Sequence, residues 1–345
     1  MESSKKSLKG MLPEEISALL PAYKEKYRGM QIFRWIHEHC AVSFEEMTNL
    51  SKELRDLMQE QFSIDSIRNI DIQSSGDGST DKYLWELWDG THIESVIIRD
   101  EDRTTACISS QVGCKMSCSF CRTGMMGFIR NLTTGEIIDQ LIQMRRSLRT
   151  VNNDITNIVF MGMGDPLDNT EVVIKAIRII NMETGLSIGQ RKITVSTCGM
   201  IPGIKRLGQE FKKIGLAISL NAPDDVLRSE LMPINRKYPL EELLGAAHEF
   251  ARTTKRRITL EYILIDDIND SPTYAKKLQS IAQRIPSKIN LIAINDFEGC
   301  PYKRPTDEKI ETFQKILYEG NVTALLRKSK GTEILAACGQ LASKK

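Results

Sequence analysis

From Thr104 onward, strand-like and helix-like segments alternate six times with little interruption, and this alternation constrains the fold more than any other feature of the chain. ACISSQ, TNIVFMG, KITVSTC, GLAISL, RITLEYILI and KINLIAI are enriched in β-branched residues and read as strands. Apolar residues recur at helical spacing over 133–146, 170–180, 204–212, 240–254, 271–283 and 306–319. Six successive strand–helix units predict an α/β fold with a parallel sheet and right-handed crossovers. Eight units would need more chain, which leaves a six-unit partial barrel or a doubly wound open sheet. Either architecture puts the working face beyond the carboxyl ends of the strands. Polar or glycine-rich residues fall there: Cys114 to Cys121, Gly162 to Asp165, Ser196 to Gly199, Ser219 to Asn221, and Asn295.

Ahead of the array, LPEEISALLPAYKEKY, GMQIFRWIHEH and SFEEMTNLSKELRDLMQEQF carry helical spacing. Ser43 and Glu46 are spaced as a capping box, and Thr48 with Ser51 is placed to cap the next turn. Over 83–98 the period changes to two around Asp89-Gly90, which predicts a hairpin. The expected organisation is a helical domain over 1–70, a β-hairpin connector over 71–103, and the α/β array over 104–345.

The 345 residues are 41% apolar and 27% charged, the composition of a globular chain. Forty-seven Lys and Arg against 45 Asp and Glu leave +2, too near neutrality to argue for a polyanion partner from bulk charge. A nucleic-acid surface must therefore be local, and the candidates are Tyr302-Lys303-Arg304, Arg256-Arg257, Arg327-Lys328 with Lys330, and Arg145-Arg146. No stretch approaches the roughly 18 apolar residues of a membrane span, and the first residues lack the apolar core of a secretory signal. These features predict no membrane partner and a cytoplasmic location.

Eight cysteines are too few for a disulfide scaffold, yet Cys114, Cys118 and Cys121 crowd into C-x3-C-x2-C after the first strand of the array. Three thiolates on a short loop suit an iron–sulfur cluster, whose usual complement is four cysteines, so that one iron is left open. Structural zinc wants four protein ligands, and His37, His39, His92 and His248 are distant in sequence, which makes zinc the weaker reading. The glycines of MGMGDP fit either a backbone that approaches a ligand closely or a plain tight turn.

This cysteine spacing resembles the radical S-adenosylmethionine (SAM) superfamily, whose open iron chelates the amino and carboxylate groups of SAM. ISSQVGCKMSCSFC, GFIRNLTTGEIIDQ, FMGMGDPL, ITVSTCGMIPGI, LAISLNAPDDVLRSELMPIN, EYILIDDINDS and AACGQLA resemble, in order, the radical-SAM 23S rRNA adenine methyltransferases of the RlmN/Cfr family. LPEEI, QIFRWIH and SFEEMTNLSK match that family's N-terminal domain. The resemblance implies a partial six-unit (β/α) radical-SAM barrel with a small N-terminal helical domain. It also implies a [4Fe-4S] cluster on Cys114, Cys118 and Cys121, SAM, and a flavodoxin- or ferredoxin-type reductant. The implied partners are 23S rRNA and tRNA. The implied product is adenine methylated at carbon 2, with carbon 8 the alternative within the family.

Carbon 2 of adenine has no lone pair with which to attack a methyl group, so a radical route must supply the reactivity. In the family one SAM methylates a cysteine, and a second yields the radical that activates that methyl for addition to the base. By resemblance, Cys338 in AACGQLA carries the methyl, Cys107 resolves the adduct through a disulfide, and Glu94 in HIESVII accepts the proton. Gly164, Asp165, Ser196, Ser219, Leu220, Asn221 and Asn295 align with the SAM contacts. Asp165 stands where the family has glutamate, Asn221 where it has histidine, and Arg122 where it has a small residue. Cys40, Cys198 and Cys300 read as structural thiols. A non-catalytic iron–sulfur RNA-binding protein or redox sensor is the alternative class, although it would have no use for Cys107 and Cys338.

Overall fold

The computed structural model describes residues 5–20, 27–295 and 297–342. Its N-terminal unit comprises β1 (Lys6–Ser7), α1 (Pro13–Ala18), α2 (Tyr27–His37), α3 (Lys52–Gln61) and β2 (Phe62–Ser63), with β1 and β2 paired in parallel. Ile32, Phe33 and Ile36 of α2 form one fully buried stripe, the helical periodicity read from sequence. Part of the first predicted helix, residues 21–26, lies outside the described residues. Ser51 caps α3, accepting from Leu54 N, but residues 43–50 form successive turns rather than the expected helix. Phe44, Met47 and Leu50 are buried three residues apart there, and a run of tight turns repeats at a spacing easily read as helical.

Lys9 binds this unit to the rest of the chain. Its fully buried ammonium pairs with Asp139 on α5 (Thr134–Arg149), and also with Asp65 at 2.5 Å. Thr133 and Glu136 close a capping box at the start of α5.

β3 (Ile67–Ser74), β4 (Thr80–Leu87) and β5 (His92–Asp100) form an antiparallel meander, whose β4–β5 hairpin turns at Asp89-Gly90 as predicted. β5 pairs antiparallel with β6 (Arg103–Cys107), and the meander thereby joins the main sheet. After β6 come β7 (Gln111–Gly113), α4 (Arg122–Met125), β8 (Phe128–Asn131) and α5. The array continues with β9 (Asn157–Phe160), α6 (Thr170–Asn181), β10 (Ile193–Thr197), α7 (Ile201–Glu210), β11 (Gly215–Ser219), α8 (Asp225–Leu231) and α9 (Leu240–Thr254). It ends with β12 (Ile258–Leu264), α10 (Pro272–Arg284), β13 (Ser287–Ala293), α11 (Asp307–Glu319) and β14 (Ala324–Leu326).

The parallel strands run β6, β9, β10, β11, β12, β13, β14 in both sequence and space. A doubly wound sheet reverses its strand order at a switch point. This sheet does not, and the two-way expectation resolves to the partial barrel. β14 is a seventh parallel strand too short to stand out in the sequence. Strand residues alternate with the pleat. Ile158, Phe160, Ile193, Val195, Leu216, Ile218, Leu260 and Leu291 are buried in the apolar core, whereas Thr105, Asn157, Thr194, Thr259 and Asn290 line a cavity. The polar inner face makes the interior a chamber rather than the packed core of a closed barrel.

Residues after β14 cross the open side of the barrel. Lys330 Nζ donates to Arg99 O at 2.7 Å and pairs with Asp100, and Ala342 N donates to Glu94 on β5 at 2.8 Å.

Candidate active site

The cysteine loop is closed at its base by the antiparallel β7–β8 ribbon, continued by Cys114 N donating to Gly127 O at 2.9 Å. Gly113 has a φ of +72°, and a Cβ there would lie 1.8 Å from Gly127 O, so the residue before the first cysteine must be glycine. Met116 and Phe120 pack with Leu231, Met232, Ile265 and Ile294, which seats the loop over the carboxyl ends of the strands.

Thiolates around one tetrahedral zinc would sit about 3.8 Å apart, given a Zn–S length of about 2.3 Å. Among the described residues, only Asp266, Asp267 and Asp270 bring three potential ligand atoms within 4.8 Å of one another, and the Lys309 ammonium already pairs with all three. The sulfurs of Cys114, Cys118 and Cys121 do not all lie within 4.8 Å of one another, so the three are not drawn together around one point as a single zinc would hold them. Burial pushes the Cys114 and Cys121 thiols up, so loading the site must release their protons.

Two cavities follow one another down the barrel. The upper, about 140 Å³, is lined by the three cysteines together with Gly164, Asp165, Ser196, Ser219 and Asn221. The lower, about 670 Å³, is lined by Cys107, Thr194, Asn290 and Arg327 among others. Met161, Glu261, Ile292 and Cys338 border both.

The candidate SAM residues divide by what they touch. Gly164 has a φ of +90°, and a Cβ there would lie 2.4 Å from Gln111, so its close approach is to its own chain. Burial pushes the Asp165 carboxyl up to about 6, although both of its oxygens accept bonds: Thr197 Oγ1 donates to each, and the Leu167 and Cys198 N–H groups to one apiece. The arm one methylene shorter than glutamate is spent tying the β9 and β10 ends together. Ser196 Oγ donates to Glu261 Oε2 at 3.2 Å. Asn221 adopts a φ of +55°, which asparagine tolerates, and accepts from Ile263 N at 2.9 Å. The Leu220 side chain is buried in the core, and neither Leu220 nor Asn295 lines either cavity.

Asn295 instead belongs to a clamp on the Cys338 segment. Its Nδ2 donates to Cys338 O at 3.1 Å, Arg122 N to Gly339 O at 2.9 Å, and Thr123 Oγ1 to Leu341 O at 2.6 Å. Glu94 completes the clamp through Ala342 N, with Lys82 Nζ 3.3 Å from its other oxygen. Glu94 is buried and lines neither cavity, and burial raises its carboxyl above the ordinary value despite Lys82.

Three expectations change. Cys198, read as a structural thiol, lies with its sulfur 3.7 Å from that of Cys118 and lines the upper cavity; only its place in STCGM at a strand end could have signalled this. Arg327, read as part of a basic surface cluster, points inward, and its Nη1 donates to Cys338 Sγ at 3.6 Å. Arg145 and Arg146 are engaged with Asp154 and with the carbonyls of Cys40 and Ala41, holding helix and loop rather than offering a free surface. All eight cysteines are free, Cys107 and Cys338 included.

A parallel partial barrel whose first strand feeds a three-cysteine loop, above a polar chamber holding two further thiols, defines a radical-SAM enzyme. Residues 108–275 match the radical SAM superfamily, and residues 7–64 match the ribosomal RNA large subunit methyltransferase N-terminal domain. The chain is 48% identical over 321 residues, 93% of its length and 91% of the relative's, to the dual-specificity RNA methyltransferase RlmN of Pelobacter propionicus. It is 47% identical over 345 residues, 100% of its length and 98% of the relative's, to that of Syntrophus aciditrophicus. The crystal structure of a radical SAM methyltransferase from Sphaerobacter thermophilus superposes with a TM-score of 0.94 at 42% identity, covering 97% of this chain and 99% of that one. The chain belongs to the RlmN family of radical-SAM RNA methyltransferases, enzymes that use a [4Fe-4S] cluster and SAM. No helix among the described residues is long and apolar enough to cross a membrane.

Proposed function

We propose that this chain methylates carbon 2 of an adenine in 23S rRNA, and of the adenine beside the anticodon in tRNA, through a methyl group carried on Cys338. The observation that carries this reading is that Cys338 borders both cavities: the upper with the cluster cysteines, the lower with Cys107. A thiol that took a methyl group above and delivered it below would need this position.

Cys114, Cys118 and Cys121 hold the cluster as thiolates, and Gly164, Asp165, Ser196, Ser219, Leu220, Asn221 and Asn295 frame SAM by side chain, backbone or support. When bound, cluster and SAM supply an electrophilic methyl group and a hydrogen-abstracting radical. Cys338 gives up its proton and gains the S–CH3 bond. Cys107, across the lower cavity on β6, resolves the adduct: it gives up its proton and its sulfur bonds to the Cys338 sulfur while the Cys338 S–C bond breaks, the electron pair leaving with the carbon that stays on the base. The upper cavity is well below the roughly 300 Å³ of sites that hold drug-sized ligands, so the Cys338 segment lifts as SAM enters. Lifting releases Glu94 from Ala342, and its raised carboxyl then accepts the proton from the base. A flavodoxin- or ferredoxin-type protein supplies the electron, the N-terminal unit docks RNA, and the work is done in the cytoplasm.

The test is anaerobic reconstitution with SAM, a reductant, and 23S rRNA fragments or tRNA, followed by mass spectrometry of the digested nucleosides. 2-Methyladenosine is expected from both RNAs. 8-Methyladenosine, or methyl uptake without Cys338 labelling, would refute the reading.

A further inference from the structure

Cys107 and Cys338 face one chamber, but their surroundings differ. The backbone N–H of Arg327 donates to Leu291 O at 2.8 Å, which fixes the residue after β14 to β13. From there Nη1 donates to Cys338 Sγ at 3.6 Å. Glu261 on β12 is the nearby acid that could compete for this guanidinium, yet its Oε2 accepts from Ser196 and its buried Oε1 has no hydrogen-bond partner. Arg327's bond therefore goes to sulfur rather than to carboxylate. The neighbouring charges are Lys328 and Lys330 on the same segment, Lys192 just before β10, Lys288 on β13, and Arg103 with Asp100 at the β5–β6 turn; Asp165 faces Cys338 from the upper cavity.

We propose that Arg327 is a positioning residue that fixes the Cys338 sulfur at the junction of the two cavities and stabilises the charge that develops on it as its proton leaves, and so selects it over Cys107 as the methyl acceptor. This rests on the reading of Cys338 as methyl carrier. A thiolate attacks a sulfonium methyl group and a thiol does not. The new bond joins Cys338 sulfur to the methyl carbon, the sulfonium C–S pair leaves with the departing sulfur, and the thiol proton has already gone to water. Cys107 differs because burial pushes its thiol up to about 12, with the neighbouring Cys338 adding to the shift, so it stays protonated while Cys338 reacts. Once methylated, the Cys338 sulfur is uncharged and no longer holds the guanidinium, which is left facing Cys107 and Glu261.

The experiment uses reconstituted, SAM-free enzyme pulsed with iodoacetamide from about pH 6 to about pH 9.5, with Cys107 and Cys338 followed separately by peptide mass mapping. Cys338 should label ahead of Cys107 at every pH, and Cys107 should stay unlabelled throughout. Arg327→Met should move the Cys338 midpoint up by at least about one pH unit, roughly tenfold slower labelling near pH 7. Arg327→Lys should keep most of the effect. If the Met variant loses its cluster or its circular dichroism, Arg327→Gln, which keeps length and a donor without charge, puts the same question. A purely structural role would change labelling equally at every pH; an unmoved midpoint, or Cys107 labelling first, overturns the proposal. Failure of RNA methylation with the labelling shift intact would count instead against the methyl-carrier reading.

Discussion

The clamp on the Cys338 segment can be loosened by a known amount. Thr123→Val with Asn295→Ala removes the bonds to Leu341 O at 2.6 Å and Cys338 O at 3.1 Å, while leaving Glu94 on Ala342 and Arg122 N on Gly339. A neutral hydrogen bond contributes about 1 kcal/mol net. Taken as additive, the two losses come to about 2 kcal/mol, roughly 30-fold in the ratio of closed to open segment. Amide exchange reads such local opening directly. In the double variant the amides of 338–342 should exchange about 30-fold faster, while those of β10 to β13 keep their protection. Unchanged exchange at 338–342 would mean that these bonds do not hold the segment closed, and the reasoning from clamp to lift would fail.

Lys9→Met strips the buried Asp139 carboxylate of its ammonium and should cost about 3–5 kcal/mol; an unchanged melting temperature would refute it. Gly113→Ala forces a side chain into a φ of +72° against Gly127 O, and should lower bound iron and sulfide without unfolding the barrel; a full complement of iron would count against the ribbon as the loop's base. Arg191, Lys212, Lys213, Lys255 and Arg256 gather at the amino ends of β10, β11 and β12. Neutralising Lys212, Lys213 and Lys255 together should weaken RNA binding and flatten its dependence on salt by about 0.7–0.9 in log–log slope for each phosphate no longer neutralised. An unaltered slope would remove that patch from the RNA surface.

The parallel array was legible because each β-branched run and each helical run is long enough to show its own period, as in β12 (Ile258–Leu264) and α9 (Leu240–Thr254). The cysteine loop was legible because its three ligands lie within eight residues. What escaped depends on distant segments meeting in space. Cys198 reaches Cys118 across 80 residues, and nothing local separates its strand-end cysteine from a packing residue. Arg327 sits in a run of cations with Lys328 and Lys330, and only the path of the chain after β14 turns its guanidinium inward. Phe44, Met47 and Leu50 misled for the opposite reason, because a real apolar spacing was produced by turns.

The partial barrel also explains why the methyl-carrying thiol should come from the end of the chain. A closed barrel fills its interior with side chains, whereas seven parallel strands ending at β14 leave an open side next to the meander. The segment after β14 covers that opening through Lys330 to the β5 carbonyl of Arg99, and through Ala342 to Glu94. A strand residue in the same chamber, such as Cys107 on β6, is fixed by its ladder and can only wait. Cys338 hangs on a covering segment secured by a handful of hydrogen bonds, each of about 1 kcal/mol, so it can lift and reseat at an energy that breaking a strand ladder would not allow. The division between a fixed thiol and a movable one follows from where each lies in the sheet, before any chemistry is considered.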